Sequence, residues 1–85
     1  MINKSTQPQI LRKPQVISLT GFSKSTLYNR IQAKLFPPPI SLGARAVGFV
    51  QAECEAVLQA MIAEQSPEEI RALVQMLIKQ RKKIA

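Results

Sequence analysis

The chain has 85 residues, of which 46% are hydrophobic, so it has the size and composition of one small globular domain with a modest core. Its formal net charge is +7, and residues 1–50 carry seven Lys and Arg side chains without a single Asp or Glu. A surface without carboxylates does not repel phosphates, which favours a polyanionic partner. Histidine is absent and Cys54 is the only cysteine. This inventory excludes a disulfide framework or a zinc site built from this chain alone, and it fits a reducing cytoplasm.

The N-terminal segment, residues 1–9, is polar and contains Pro8, and we interpret it as a mobile arm in which Lys4 could touch a phosphate. Ile10–Leu11 then form a short extended segment. The sequence contains neither an apolar run of signal-peptide type nor a stretch approaching about 20 uninterrupted apolar residues. We therefore expect a chain that is neither secreted nor membrane-spanning and that acts in the cytoplasm.

Two short helices follow, separated by a tight turn. Pro14 suits the first turn of a helix that ends at about Thr20, because Gly21 can adopt the left-handed conformation that terminates helices. The hydroxyl of Ser23 can cap a second helix over residues 23–33. A break of about three residues forces the two helices to cross steeply, which is the helix-turn-helix arrangement.

The second helix has an apolar side and a polar side. At about 100° per residue, Leu27 and Ile31 share the side that we expect to face the core, where they meet Val16 and Leu19 of the first helix. The opposite side carries short polar groups suited to base edges, and cationic and phenolic groups flank it where phosphates would lie. Two more cations precede helix one, where they oppose its dipole. The candidate DNA-contacting residues here are Arg12, Lys13, Lys24, Ser25, Thr26, Tyr28, Asn29, Arg30 and Gln32. A solvated polar face is the alternative, and the charge distribution favours DNA over it.

A β-hairpin is predicted after the second helix. Three prolines at 37–39 end any helix and impose an extended path. Residues 40–49 then alternate between apolar and small or polar side chains around a turn at 43–46. The tip presents Arg45, as the wing of a winged helix presents a cation to the minor groove or to a phosphate. A solvated turn residue is the alternative for Arg45.

Two longer helices complete the prediction. The third spans about residues 51–65, and Cys54 on it is expected to be a small buried hydrophobe. Its expected core residues are Cys54, Val57, Leu58, Met61 and Ile62. The fourth starts at a capping box, Ser66-Pro67-Glu68-Glu69, and runs to about residue 83, ending in a basic cluster that we expect to be a solvated tail. Its apolar stripe should pack against helix three or against a second copy in a homodimer. The stripe comprises Ile70, Leu73, Val74, Leu77 and Ile78.

Several short motifs in this order also carry a resemblance. They are Ile10-Leu11-Arg12, Pro14, Val16, Leu-Thr-Gly-Phe-Ser-Lys-Ser-Thr-Leu-Tyr at 19–28, Phe36-Pro37, Pro39, Leu42-Gly43, Arg45-Ala46-Val47-Gly48 and Glu53. Over about residues 10–63 the chain resembles the AlpA family of phage and prophage regulators. These are small proteins of the winged-helix group, which also includes excisionases and the DNA-binding domains of MerR-type proteins. In that family the second helix reads the major groove and the segment matching 42–48 forms the wing, so the resemblance implies the same roles here.

The chain departs from the family pattern at a few positions. The family usually has arginine where Asn29 stands and an apolar residue where Arg30 stands, which implies an altered base preference or a slightly rotated helix. Glycine is usual where Lys34 stands, which implies a longer or differently capped exit from helix two. Tryptophan is common at the positions of Phe49 and Val57.

The sequence therefore predicts a mainly α fold with a small β-hairpin wing, comprising an arm (1–9), a winged helix-turn-helix (10–65) and a C-terminal amphipathic helix (66–85). We expect a prophage-type regulator that binds double-stranded DNA in the cytoplasm, at the nucleoid, without catalytic activity, cofactor, metal or small-molecule substrate. An excisionase-like protein that bends DNA is one alternative. A protein-interaction module that docks through residues 67–83 is the other.

Overall fold

The computed structural model describes residues 9–84, and it confirms a mainly helical chain with a small antiparallel sheet. The elements are β1 (Ile10–Leu11), α1 (Lys13–Thr20), α2 (Lys24–Gln32), β2 (Ile40–Ser41), β3 (Val47–Val50), α3 (Gln51–Ile62) and α4 (Pro67–Ile84). The predicted arm with Lys4 falls outside the described residues, apart from Gln9. None of the helices in the described part has the length and apolar character needed to cross a membrane.

The turn between α1 and α2 has the geometry that its residues predict. Gly21 lies in the left-handed region at φ 79°, and its N–H donates to the carbonyl of Ile17 at 2.8 Å. Ser23 is extended, and its Oγ accepts the N–H of Thr26 at 3.1 Å. Glycine avoids the steric cost of a Cβ at that φ, and the serine satisfies a donor that the first helical turn would leave unpaired. The helix-turn-helix is therefore built from contacts within a few residues.

Helices α2 and α3 are each followed, directly after the C-cap residue, by a non-glycine residue in the left-handed conformation. These residues are Lys34 at φ 67° and Glu64 at φ 59°. After α2, the N–H of Lys34 donates to Ile31 at 3.1 Å and that of Leu35 donates to Arg30 at 2.8 Å, which is a Schellman motif. An equivalent pair of bonds closes α3. The predicted end of α3 at residue 65 was wrong by three residues. Lys34 adopts the left-handed conformation that glycine commonly supplies at the end of a helix.

Strand β3 is the centre of a three-stranded antiparallel sheet with the order β1-β3-β2. The predicted hairpin is present, with Ile40 opposite Gly48. The extended segment before α1 also pairs with β3, with Ile10 opposite Val50, and this third strand was not predicted. A Cβ at Gly48 would overlap Cγ2 of Ile10 and come within 2.9 Å of Cδ1 of Leu42. The absence of a Cβ at Gly48 therefore leaves room for the side chains of Ile10 in β1 and of Leu42 just after β2.

A single core joins the four helices and the sheet. At its centre the ring of Phe36 lies against those of Phe22 and Phe49, at centroid distances of 6.0 and 6.3 Å. The buried apolar residues are Val16, Leu27, Phe36, Phe49, Cys54, Val57, Ala60, Ile70 and Val74. Two predicted core residues are wrong, because Leu19 is 39% exposed and Ile62 is 74% exposed. Each lies in the last turn of its helix.

Helix α4 packs against α3 with the apolar stripe that its sequence predicts. Its start is the predicted capping box, in which Ser66 N–H donates to Glu69 Oε1 at 2.8 Å and Glu69 N–H donates to Ser66 Oγ at 3.2 Å. Ile70 and Val74 lie in the core, and the other three stripe residues are partly buried against it. The stripe is thus used within the chain.

A largely buried ion pair joins the start of α3 to the end of α4. The guanidinium of Arg81 donates to both carboxylate oxygens of Glu53, at 2.8 and 2.7 Å, and also to the carbonyl of Pro38 at 2.8 Å. The hydrogen bonding to Glu53, which outweighs the opposing effect of burial, raises the pKa of Arg81 above its already high usual value. The prediction that residues 81–83 form a solvated tail is wrong for Arg81, and the partner of Glu53 was not predicted.

Candidate nucleic-acid interface

Helix α2 presents one continuous polar face to solvent. Leu27 is 2% exposed and Ile31 packs partly against the core, so the opposite side of the helix points outward. Tyr28 is 63% exposed, and the remaining side chains of this outward face are exposed as well. They are Lys24, Ser25, Asn29 and Gln32. Their amide, hydroxyl and cationic groups provide both donors and acceptors on a surface that no other element covers.

Two of the predicted site residues on α2 have partners within the protein. The hydroxyl of Thr26 accepts a hydrogen bond from Ser23 Oγ at 3.0 Å, so it belongs to the cap of the helix. The Cζ atom of Arg30 lies 5.3 Å from the centroid of the Phe22 ring, a cation–π arrangement, and the residue is half-buried. This contact orients the guanidinium along one flank of α2. The sequence alone placed Arg30 on that flank but did not predict the stacking.

A depression of about 280 Å³ lies between α2 and the sheet. Four of the predicted residues surround it: Lys13 at the start of α1, and Lys24, Tyr28 and Gln32 on α2. Its apolar wall includes Val47 and Phe49 of β3. The fold thus brings the first cation of α1 beside the outward face of α2, next to the strand that leads from the hairpin. On the other flank, Thr26, Asn29 and Arg30 line a second, shallower depression.

The hairpin presents the last predicted cation. The N–H of Leu42 donates to the carbonyl of Ala46 at 2.8 Å, which closes the loop between β2 and β3. Gly43 in this loop has φ 138°, and Arg45 is exposed at the tip. Arg12, immediately before α1, is also exposed, and its backbone N–H donates to Gln15 Oε1 at 2.7 Å. Neither arginine lines either depression beside α2.

The charged side chains of α1, α2 and the hairpin are all basic. The first carboxylate in the sequence is Glu53, and Arg81 neutralises it. The next, Glu55, accepts a hydrogen bond from the side chain of Gln51 at 2.8 Å. The remaining carboxylates lie beyond α3 or in the first turn of α4. The elements α1, α2 and the hairpin therefore carry cations with no acidic side chain of their own, as the charge pattern of the sequence indicates.

The chemistry available for catalysis or metal binding is limited. Cys54 is fully buried, and burial, with the neighbouring Glu53 and Glu55 charges adding to it, raises the pKa of its thiol to about 12. A buried thiol with this pKa is a poor nucleophile. Across residues 9–84, no group of three or more His, Cys, Asp or Glu side chains is arranged to hold a metal ion.

Comparison with known proteins identifies the group to which this fold belongs. The family model described as "Prophage CP4-57 regulatory protein (AlpA)" matches residues 9–60, which span β1 to α3. The chain belongs to the AlpA family. The resemblance inferred from the motifs is confirmed, and the match contains all ten residues of the candidate interface. No solved structure matches the chain significantly.

Two proteins, one from a phage and one from a bacterium, are similar to part of this chain. The "Uncharacterized protein ORF88" of Enterobacteria phage P4 is 41% identical over 58 residues, which is 68% of this chain and 66% of that protein's length. The "DNA-binding transcriptional activator AlpA" of Escherichia coli (strain K12) is 33% identical over 60 residues, or 64% of this chain and 86% of that protein. Helix α4 lies beyond the residues that the AlpA model matches.

Proposed function

We propose that this AlpA-family chain is a sequence-specific regulator of transcription that binds double-stranded DNA. The observation that carries the proposal is the outward face of α2, a run of exposed polar side chains flanked by cations, in a helix that together with α1 and the hairpin contains no carboxylate. The alignment with the Escherichia coli relative covers 86% of that protein, which is described as a DNA-binding transcriptional activator. This supports a similar function here. Binding to the chromosome would place the protein in the cytoplasm, on the nucleoid.

In this proposal α2 lies in the major groove, and its side chains divide the work of recognition. Asn29 and Gln32 pair with base edges, for which adenine offers the matching donor and acceptor, and Ser25 makes a smaller polar contact. The cations and the phenol around them hold the sugar-phosphate backbone and set the register. These backbone contacts come from Arg12, Lys13, Lys24, Tyr28 and Arg30, with Thr26 at the helix start.

The wing, residues 40–49, supports α2 from the side. Arg45 at its exposed tip reaches the backbone or the minor groove. Asn29 stands where the family usually has arginine, and arginine typically pairs with guanine whereas asparagine pairs with adenine. We therefore propose that this protein prefers adenine at the position that α2 reads through Asn29.

Selection of bound sequences from random duplex DNA tests the proposal. The natural chain, Asn29→Ala and a control, Gln59→Ala, are selected in parallel at near-physiological salt. Gln59 is the control because it is an exposed polar residue on α3 rather than on α2. The natural chain and the control should enrich one motif, and Asn29→Ala should lose preference at a single adenine, a discrimination of about 1–3 kcal/mol. No enrichment by the natural chain would refute sequence-specific recognition.

The pattern of enriched sites also separates the alternatives. Several adjacent copies of the motif at an attachment site, with bending of the DNA, would favour the excisionase-like function. A two-fold repeated motif would indicate a homodimer. The homodimer through α4 remains a prediction, and it would need a surface other than the part of the apolar stripe that packs against α3. The affinity of a DNA-binding protein falls steeply with salt, because log affinity decreases linearly with log salt concentration when phosphates are contacted. A partner whose affinity for this chain barely changes with salt would favour the protein-interaction module.

A further inference from the structure

The segment between α2 and β2 sets where the wing lies relative to α2. It runs from Ala33, the C-cap of α2, to Pro39, immediately before β2. Backbone hydrogen bonds from Lys34 and Leu35 tie its start to the last turn of α2. Its second half is three consecutive prolines, which have no N–H to donate, so this half cannot be held by backbone donors of its own.

Two arginines of α4 donate hydrogen bonds to this segment, one near each of its ends. Arg71 Nε donates to the carbonyl of Ala33 at 2.9 Å, and the guanidinium of Arg81 donates to the carbonyl of Pro38 at 2.8 Å. Ten residues separate these arginines on α4, a rise of about 15 Å along the helix axis. One rigid helix therefore holds both ends of the segment that joins α2 to the wing.

Helix α4 is itself fixed in place. Ile70 and Val74 lie in the core, and the carboxylate of Glu53 takes two donors of Arg81 and orients its guanidinium toward Pro38. Arg71 differs from Arg81 because it is exposed and has no carboxylate partner among the bonds that the described residues make. Its positive charge lies at the C-terminal end of α2, where the helix dipole favours a cation and unpaired carbonyls need donors.

We propose that Arg71 is a positioning residue for DNA recognition: through the carbonyl of Ala33 it fixes the last turn of α2 and thereby the placement of α2 relative to the wing. The inference rests on the proposed function and extends it to α4, which lies outside the part of the chain that the family model matches. The competing explanation is that Arg71 contacts a phosphate directly.

Salt dependence distinguishes positioning from a direct contact. Removing a phosphate contact lowers specific and non-specific affinity together and reduces the slope of log affinity against log salt by about one. Removing a positioning residue leaves the slope unchanged and lowers affinity for the selected motif alone, because non-specific binding tolerates a small displacement of α2. The ratio of the two affinities is therefore the decisive quantity.

The experiment compares the natural chain with Arg71→Met, which keeps an apolar stem but has no donor, and with Arg71→Lys, which keeps the charge and a donor. Lys79→Met is the matched control, since Lys79 is an exposed cation on the same helix. Affinities for the selected motif and for a scrambled duplex are measured between about 50 and 300 mM salt. Urea unfolding of each variant confirms that it is folded under the binding conditions.

Arg71→Met should lower the ratio of specific to non-specific affinity about three- to tenfold, the equivalent of one hydrogen bond, with an unchanged salt slope. Arg71→Lys should recover part of this loss, and Lys79→Met should leave the ratio as it is. An unchanged ratio in Arg71→Met, or an equal loss on both duplexes with a slope lower by about one, would overturn the proposal.

Amide hydrogen exchange in the free protein provides a readout that does not depend on DNA. The N–H groups of Lys34 and Leu35, which close the end of α2, should exchange faster in Arg71→Met than in the natural chain, and equally in Lys79→Met. Unchanged exchange in Arg71→Met would overturn the role of Arg71 even if the natural chain selects a motif. Faster exchange in a protein that selects no motif would instead refute the proposed DNA recognition while the hold on α2 stands.

Discussion

Replacing Arg81 by Met tests how much the buried ion pair contributes to the stability of the fold. The substitution keeps an apolar stem but leaves the carboxylate of Glu53, whose side chain is 7% exposed, without its two donors, and it also leaves Pro38 without its bond. Removing one partner of a fully buried pair costs about 3–5 kcal/mol. Because the side chain of Arg81 is 22% exposed and water can replace part of what is lost, we expect about 2–4 kcal/mol.

That cost is large for this chain, since small domains are stable by only about 5–15 kcal/mol. The assay is urea unfolding at pH 7. An unchanged slope of the free energy of unfolding against urea concentration checks that the variant still unfolds in two states. Lys82→Met is the control, because Lys82 is the next residue on α4 and is exposed, so its loss should change stability by less than about 0.5 kcal/mol.

A double-mutant cycle isolates the pair itself. Glu53→Gln and Arg81→Met should together cost less than the two single substitutions added, with a coupling energy of about 1–3 kcal/mol that persists in high salt because the pair is largely buried. If Arg81→Met resembles the Lys82→Met control, or if the coupling energy is near zero, the two side chains do not stabilise the fold as a pair.

Two further predictions concern the end of α2 and the buried thiol. Lys34→Gly should raise the free energy of unfolding by about 0.5–1 kcal/mol, because glycine relieves the strain of φ 67° by more than it costs in unfolded-chain entropy, and a loss of stability would contradict this. Because burial raises the pKa of Cys54 to about 12, the folded state holds that proton more tightly than the unfolded chain. The protonated thiol therefore makes its full contribution to the free energy of unfolding below the unfolded-state pKa of about 9. As the pH rises from there toward 12, the free energy of unfolding should fall by up to about 1.4 kcal/mol per pH unit. Urea unfolding at several alkaline pH values should show the decline in the natural chain and a shallower one in Cys54→Ala, and equal slopes would refute the assignment.

The outward face of α2 could be predicted because it depends on one rotation angle. Once Leu27 is assigned to the core, a rotation of about 100° per residue places Ser25, Asn29 and Gln32 on the opposite side of the helix. The structure has those residues exposed. What the rotation angle does not contain is the neighbour of each side chain. The stacking of Arg30 on Phe22 therefore required the structure.

Errors in the predicted core arose at helix ends. Leu19 and Ile62 continue the apolar spacing of α1 and α3, and periodicity alone assigns them to the core. Burial also requires that another element cover the side chain, and at these helix ends Leu19 stays 39% and Ile62 74% exposed. Helix α3 was predicted too long for a related reason, since Glu64 takes the left-handed conformation that glycine or asparagine commonly signals in a sequence.

The sequence by itself determined the features that depend on neighbours along the chain: the break at Gly21, the caps at Ser23 and Ser66, the hairpin and the absence of carboxylates from the first half. Capping and turn formation join groups three to five residues apart, so local chemistry decides them. The tertiary structure decided the pairing of β1 with β3 and the bonds that α4 makes to Glu53, Pro38 and Ala33. The bonds from α4 join residues 28 to 43 positions apart in the sequence, and they depend on the packing of α4 against α3, which no local pattern specifies.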